Sequence, residues 1–240
     1  MALHEAILII PAYNEAGTLE RVLREIALAQ TGCEVVVIDD GSQDATAAIA
    51  RQAGAKVIRH PFNLGYGAAL QTGYKYAVRR NATLVVQMDA DGQHDPAEIP
   101  LLAAPVRNGE CDLMVGSRFL EGTGYQHGLL RTLGRQLFRG LAWLAGLRVS
   151  DPTSGFQAMN ARVLHVYTQN FFPADYPDVD VLLAAYRHGL RVAECPVHMK
   201  SGVRASTLHG GLRPVYYAYK MLLSTWCASS SGRSEQQKEV

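Results

Sequence analysis

No window of about 18 uninterrupted apolar residues occurs in the 240-residue chain, so no segment is expected to cross a membrane as a helix. The amino terminus, MALHEAILIIPAYNE, has no basic leader and only a four-residue apolar run before Pro11, which argues against a secretory signal. Any membrane contact is therefore expected from the cytoplasmic surface. An excess of charge is missing too: 23 Lys and Arg stand against 22 Asp and Glu, a net charge of +1. Without a global basic field, no nucleic-acid partner is expected and any anion site must be local. The four cysteines, Cys33, Cys111, Cys195 and Cys227, form no close pair and no metal-ligand spacing. They read as buried thiols in a reducing compartment, not as a disulfide framework. No Pro/Ser-rich or charged linker divides the chain, so residues 1–228 are expected to form one domain, followed by a polar, aperiodic tail at 229–240 that reads as disordered.

What is present is an alternation. The β-branched runs AILIIPA, EVVVIDD, KVIRH, TLVVQMD and DLMVGS are separated by segments of helical period. Those segments are Leu19/Val22/Leu23/Ile26, ATAAIARQAG, GYGAALQTGYKYAVRR and a helix from about Pro96. The pattern predicts an α/β fold with a mostly parallel central sheet flanked by helices. After Gly116 the rhythm changes to the loop RFLEGTGYQHG, a helix over about 129–147 and SDPTSGFQAMN, which is assigned no element. A helix over about 179–188 and the strand LRVAECPV follow. Ligands of doubly wound sheets collect beyond the carboxyl ends of the strands. Asn14, Glu15, Asp39, Asp40, Asn63, Asp89 and Asp91 all fall near such ends.

Within MDADGQHDPAE, Asp95 precedes Pro96 and lies three residues before Glu98, the form of a helix N-cap. That cap does not account for Asp89 and Asp91. Carboxylates on alternate residues, where an apolar strand breaks at Gly92, can converge on a hard cation such as Mg2+ or Mn2+. A solvated turn is the alternative for this motif by itself. His94 is left open between ligand, supporting neighbour and exposed residue. The Gly-rich NLGYGAALQTG lacks the Gly-Lys-Ser/Thr ending of a P-loop, and close helix-to-strand packing is expected there.

Together and in this order, IPAYNE, VIDDGSQDAT, HPFNLGYGAAL, the paired aspartates, VGSRF and SDPTSGF resemble the family 2 glycosyltransferases of GT-A fold. Within that family the resemblance is to the branch of dolichol-phosphate mannosyltransferases and bacterial polyprenyl-phosphate glycosyltransferases, and it spans about residues 6–197. It implies a GT-A nucleotide-diphospho-sugar transferase fold, with a nucleotide-binding half at about 1–117 and an acceptor half at about 118–228. It also implies that Pro11, Tyr13 and Glu15 pack around the nucleotide and that Asp39 or Asp40 meets the base or ribose; Asn63, in the Gly-rich segment, is expected to face the site. Asp89 would contact the nucleotide side, and Asp91 with Gln93 would hold the metal. The implied reaction is an inverting transfer from a GDP- or UDP-sugar. Elementary chemistry agrees, because a departing diphosphate needs electrophilic stabilisation and a lone carboxylate would repel it.

The acceptor decides what else the site needs. A hydroxyl nucleophile requires a general base, for which DYPDVDV offers Asp178 or Asp180. A polyprenyl or dolichyl phosphate has a second pKa of about 6, arrives as an anion and needs cations instead. The resemblance places Arg118, Arg131 and Arg204 on the acceptor side, with surface solvation as the alternative. In GLLRTLGRQLFRGLAWLAGL, Arg131, Arg135 and Arg139 recur every fourth residue among leucines, and LRPVYYAYKMLLSTW is rich in aromatics. Each segment reads either as an interfacial helix or as a core-packed one with a solvated face. A peripheral membrane enzyme, aided by a membrane partner protein, is the expectation. Gln157 departs from the family, which usually has arginine there. Lipid-phosphate transfer leads; a saccharide or other soluble hydroxyl acceptor, nucleotidyl transfer and a silent nucleotide-sugar-binding module are the alternatives.

Overall fold

A computed structural model of the chain describes residues 6–120, 139–140, 142–143, 146–175 and 177–200. Arg131, Arg204, residues 212–226, the tail at 229–240 and most of the helix expected over 129–147 lie outside the described residues. Among the described residues there are seven strands: β1 (Ala6–Ala12), β2 (Glu34–Asp39), β3 (Lys56–Arg59), β4 (Leu84–Gln87), β5 (Leu113–Ser117), β6 (Gln157–Asn160) and β7 (Val192–Pro196). They form one sheet in the order β3-β2-β1-β4-β6-β5-β7. The helices are α1 (Ala16–Ala29), α2 (Thr46–Gln52), α3 (Tyr66–Arg79), α4 (Ile99–Arg107), α5 (Ala161–Tyr167) and α6 (Val179–Arg187). Every strand pairing is parallel except those of β6, which runs antiparallel to β4 and β5.

Strands buried on both faces need near-continuous apolar runs, which is why AILIIPA and EVVVID are legible as strands. Along β1, Ile7 and Ile9 join the core beneath α3, α5 and α6. Leu8 and Ile10 join the core beneath α1, α2 and α4. Gly73 of α3 allows close approach to β1, since a Cβ there would stand 2.6 Å from Ile9 Cγ2. This is the helix-to-strand packing expected of the Gly-rich segment. Gly67 serves a second contact, for its Cβ would stand 2.1 Å from the Pro173 carbonyl oxygen.

Two elements differ from expectation. QAMN forms β6 inside SDPTSGFQAMN, where only four residues without β-branching are available. Its extended state is set by neighbours on both sides, with Gln87 opposite Gln157 and Leu113 opposite Met159. Helix α5 follows at once, capped by Asn160, whose side chain accepts from the N–H groups of Arg162 (3.0 Å) and Val163 (3.3 Å). Among the described residues no helix is long and apolar enough to cross a membrane.

The parallel register gathers strand ends on one edge. Ala12 pairs with Asp39, Asp39 with Arg59, and Ile9 with Gln87. The loops beginning at Tyr13, Asp40, His60 and Met88 therefore leave the sheet on the same side.

Candidate active site

The first two motifs form one unit at this edge. Asn14, in a left-handed conformation (φ 56), donates its N–H to Ser42 Oγ (2.9 Å), and its Oδ1 accepts from the Gln43 N–H (2.9 Å). The Glu15 N–H donates to Thr46 Oγ1 (2.8 Å), and the Glu15 carboxylate accepts the Thr18 hydroxyl (2.6 Å). Pro11 is buried inside β1, whereas Tyr13 is exposed.

Asp39 and Asp40 are both buried. Asp40 Oδ1 accepts the Leu64 N–H (2.9 Å) and lies 2.7 Å from His60 Nδ1, while Oδ2 accepts the Gly65 N–H (2.9 Å). Asp39 Oδ1 accepts the Ser42 N–H (2.9 Å). Its Oδ2 lies 2.9 Å from Arg59 Nε, an ion pair in which the N–H does not point at the oxygen. Both carboxylates shape the turn between them. Gly41 (φ +74) lets the 61–65 loop rest on that turn, since a Cβ would stand 2.4 Å from the Phe62 carbonyl carbon. Asn63 is exposed on the loop.

Asp89 and Asp91 lie beyond β4. Asp89 Oδ1 accepts the Tyr66 hydroxyl (2.7 Å), and Oδ2 faces His94 Nε2 (3.3 Å). His94 is buried, with its ring 4.8 Å from that of Phe156, so it backs Asp89 as a supporting neighbour. Asp91 Oδ1 accepts the Gln93 N–H (2.9 Å). Burial pushes the Asp89 carboxyl up, but the hydrogen bond and charge of His94, the Tyr66 hydroxyl and the Arg118 charge outweigh it and hold the group below the usual range. Burial, then the Asp89 charge, push Asp91 up, and Glu15 adds to this.

Among the described residues no three His, Cys, Asp or Glu side chains converge as a metal cage. Asp89, Asp91 and the Gln93 amide nevertheless offer the oxygen donors that hard divalent cations take. Part of the rise of the Asp91 carboxyl, after burial, comes from the Asp89 and Glu15 charges, which such a cation would offset. The donor set fits Mg2+ or Mn2+.

Just past β5, Arg118 is held by buried Asp151: its N–H (3.0 Å) and Nε (2.6 Å) reach Oδ2, and Nη2 reaches Oδ1 (2.7 Å). The Ser150 and Asp151 N–H groups donate in turn to Glu194 (2.7 and 2.9 Å). VGSRF and SDPTSGF are thus joined, a pairing that sequence reasoning missed. Gln157 is buried, and its Nε2 donates to the Ser154 carbonyl (2.8 Å). A neutral amide suits this enclosed strand position. Asp180 is buried in the first turn of α6, where Oδ1 accepts from the N–H groups of Asp178 (3.0 Å) and Val181 (2.9 Å). Asp178 lies within electrostatic reach of Tyr66, whose hydroxyl is pushed well up by burial, by Asp89 and, to a lesser degree, by Asp178. Arg131 and Arg204 lie outside the described residues. Tyr66 sits in a motif read only for its glycines, which is how its hydroxyl escaped notice.

The sequence model described as Glycosyl transferase family 2 matches residues 7–168. The chain belongs to this family. This family 2 glycosyltransferase is 29% identical over 201 residues to the polyprenol monophosphomannose synthase of Mycolicibacterium smegmatis, covering 80% of this chain and 76% of that one. It is 30% identical over 228 residues to the dolichol-phosphate mannosyltransferase of Pyrococcus furiosus, covering 88% of this chain and 63% of the relative. Its fold resembles glucosyl-3-phosphoglycerate synthase from Mycobacterium tuberculosis, solved with Mn2+, uridine diphosphate and glucosyl-3-phosphoglycerate. That match has a TM-score of 0.71 at 23% identity and covers 93% of this chain and 78% of the other. The fold of the family 2 glycosyltransferase is GT-A, as the resemblance implied.

Proposed function

We propose that this glycosyltransferase moves a sugar, with inversion, from a GDP- or UDP-sugar to a polyprenyl or dolichyl phosphate. The reading is carried by the Asp89/Asp91 pair on the edge shared by the β1 and β2 loops, in a chain whose relatives are named for polyprenol and dolichol phosphate chemistry. The Mn2+ and uridine diphosphate in the structurally similar synthase support a divalent cofactor here. Asp91 and Gln93 would hold the ion, with Asp89 on the nucleotide side. When bound, Mg2+ or Mn2+ supplies electrophilic stabilisation of the departing diphosphate.

The chain's own residues then have distinct tasks. Pro11, Tyr13, Glu15 and Asn63 border the nucleotide, and Asp39 and Asp40 shape the turn against which it rests. Arg131 and Arg204 offset the charge of the lipid phosphate. Arg118, anchored by Asp151, adds a positive charge that Asp89 feels. An anionic acceptor asks no base of Asp178 or Asp180. We place the enzyme at the cytoplasmic face of a membrane as a peripheral protein with a membrane partner, and assign residues 1–228 to one catalytic domain.

The deciding experiment incubates the protein with UDP-, GDP- and dTDP-sugars, with Mn2+ or Mg2+, with and without polyprenyl phosphate, and measures free nucleoside diphosphate. Release should require both the lipid phosphate and the metal, and chelation by EDTA should abolish it. Release with a soluble saccharide but not with the lipid would replace the reading, and pyrophosphate would mark nucleotidyl transfer.

A further inference from the structure

Asp89 is fixed through residues to which the donor reading gives no task. Tyr66, the first residue of α3, donates its hydroxyl proton to Asp89 Oδ1 at 2.7 Å. The same hydroxyl oxygen accepts from Gln87 Nε2 at 3.2 Å. Gln87 is buried at the end of β4, and its Oε1 accepts the hydroxyl of Tyr74, also buried. The Tyr74 ring is held in turn by Tyr167 and Phe172, with centroids 5.8 and 5.7 Å away.

Proton counting permits one direction only. Tyr66 has a single hydroxyl proton and an ionised Asp89 has none, so that proton goes to the carboxylate and the Tyr66 oxygen needs a donor of its own. Gln87 supplies one only when Nε2 faces Tyr66, which turns Oε1 toward Tyr74 and makes the Tyr74 hydroxyl the donor. The flipped amide would set Oε1 against the Tyr66 oxygen with no proton between them.

We infer that Tyr74, Gln87 and Tyr66 form a one-way hydrogen-bond relay that positions Asp89 from the protein core, with Tyr66 as the positioning residue of the donor site. The functional half rests on the donor reading above. His94 holds the other Asp89 oxygen, so the carboxylate is anchored at both ends before any ligand arrives. Asp91 has one hydrogen bond, from Gln93, among the described residues. Asp89 is therefore the rigid member of the pair and Asp91 the adjustable one. A carboxylate already in place loses less freedom on binding than a mobile one.

Tyr66→Phe and Tyr74→Phe each delete one hydroxyl and keep the ring. In protein carrying 13C-labelled tyrosine, the Tyr66 Cζ resonance should move on Tyr74→Phe, although its own ring is untouched. Calorimetry with Mn2+ plus UDP, and with Mn2+ plus GDP, should show binding about tenfold weaker for Tyr66→Phe, the scale of one hydrogen bond to a charged group. Tyr74→Phe should lose less, in the same direction. The double variant should bind no more weakly than Tyr66→Phe, because the outer hydroxyl acts through the inner one. An unmoved Cζ resonance, or losses that add in the double variant, overturns the relay. A wild-type protein that binds neither nucleotide with Mn2+ sinks the donor reading and with it the functional half, and the Cζ shift then decides the relay by itself.

Discussion

Gly155 stands against Asp89: a Cβ on Gly155 would lie 2.6 Å from the Asp89 Oδ2 oxygen. The SDPTSGF loop thus closes on the carboxylate that Tyr66 and His94 hold from other sides. Gly155→Ala should push this carboxylate out of place and reduce kcat/KM at least tenfold, a loss of about 1.4 kcal/mol in transition-state stabilisation. Melting temperature should change little, because the displaced group is a half-buried side-chain end and not core packing. Wild-type kinetics in Gly155→Ala would show that the Asp89 position is unimportant.

Asp91 and Asp95, four residues apart, should respond in opposite ways. Asp91→Asn should abolish metal-dependent turnover and slightly raise the melting temperature at neutral pH. The Asp91 carboxyl is raised in the folded state, so its ionised form opposes folding once pH exceeds that raised value, and the amide removes the opposition. Asp95 caps the turn at Pro96–Glu98 by accepting the Ala97 N–H (3.1 Å). Asp95→Ala should cost about 1 kcal/mol of stability with little effect on rate. Melts and initial rates on both variants separate the two roles.

Away from the site, Asp112 is buried at the start of β5 and accepts from Asn160 Nδ2 (2.8 Å), Arg162 Nη1 (3.1 Å) and the Arg191 N–H (2.8 Å). Burial raises its carboxyl, but the Arg191 and Asn160 hydrogen bonds and the arginine charges prevail and lower it. A lowered acid contributes stability that is fully present above its unfolded pKa of about 3.9 and lost as pH falls through the folded value. Asp112→Asn should therefore cost roughly 2 kcal/mol at pH 7, the arginines being more than half exposed, and less on acidification. Urea unfolding at about pH 7 and pH 3 tests this, and a constant difference between wild type and variant would refute it.

The acceptor class can be read from which substitution is tolerated. With a lipid phosphate, Arg131→Ala should weaken acceptor use far more than donor binding, while Asp178→Asn and Asp180→Asn keep substantial turnover. Asp180→Asn should also lower the melting temperature, because its carboxylate organises the first turn of α6. An inactive aspartate variant with intact fold and donor binding, beside a nearly normal Arg131→Ala, would move the acceptor to a hydroxyl.

Strands β1, β4 and β5 were legible because burial on both faces demands contiguous apolar runs, and helix α1 because its apolar residues recur at helical spacing. The short β6 was not, since QAMN is extended by its neighbours and not by its own composition. The Asn160 cap of α5 is a local signal in the sequence that went unread.

The sequence by itself determined the family, through short motifs in a fixed order, and from residues near one another it determined the α/β alternation, the Asp95 cap and the place of Asp89 and Asp91 at a strand end. Only the tertiary structure decided which partner each carboxylate meets. Asp40 meets His60 across 20 residues, Asp89 meets Tyr66 across 23, and Arg118 meets Asp151 across 33. Spacing along a chain carries no record of such partners. A hydrogen bond forms only when folding brings donor and acceptor within about 3 Å, and that distance is set by the packing of the sheet and helices between them.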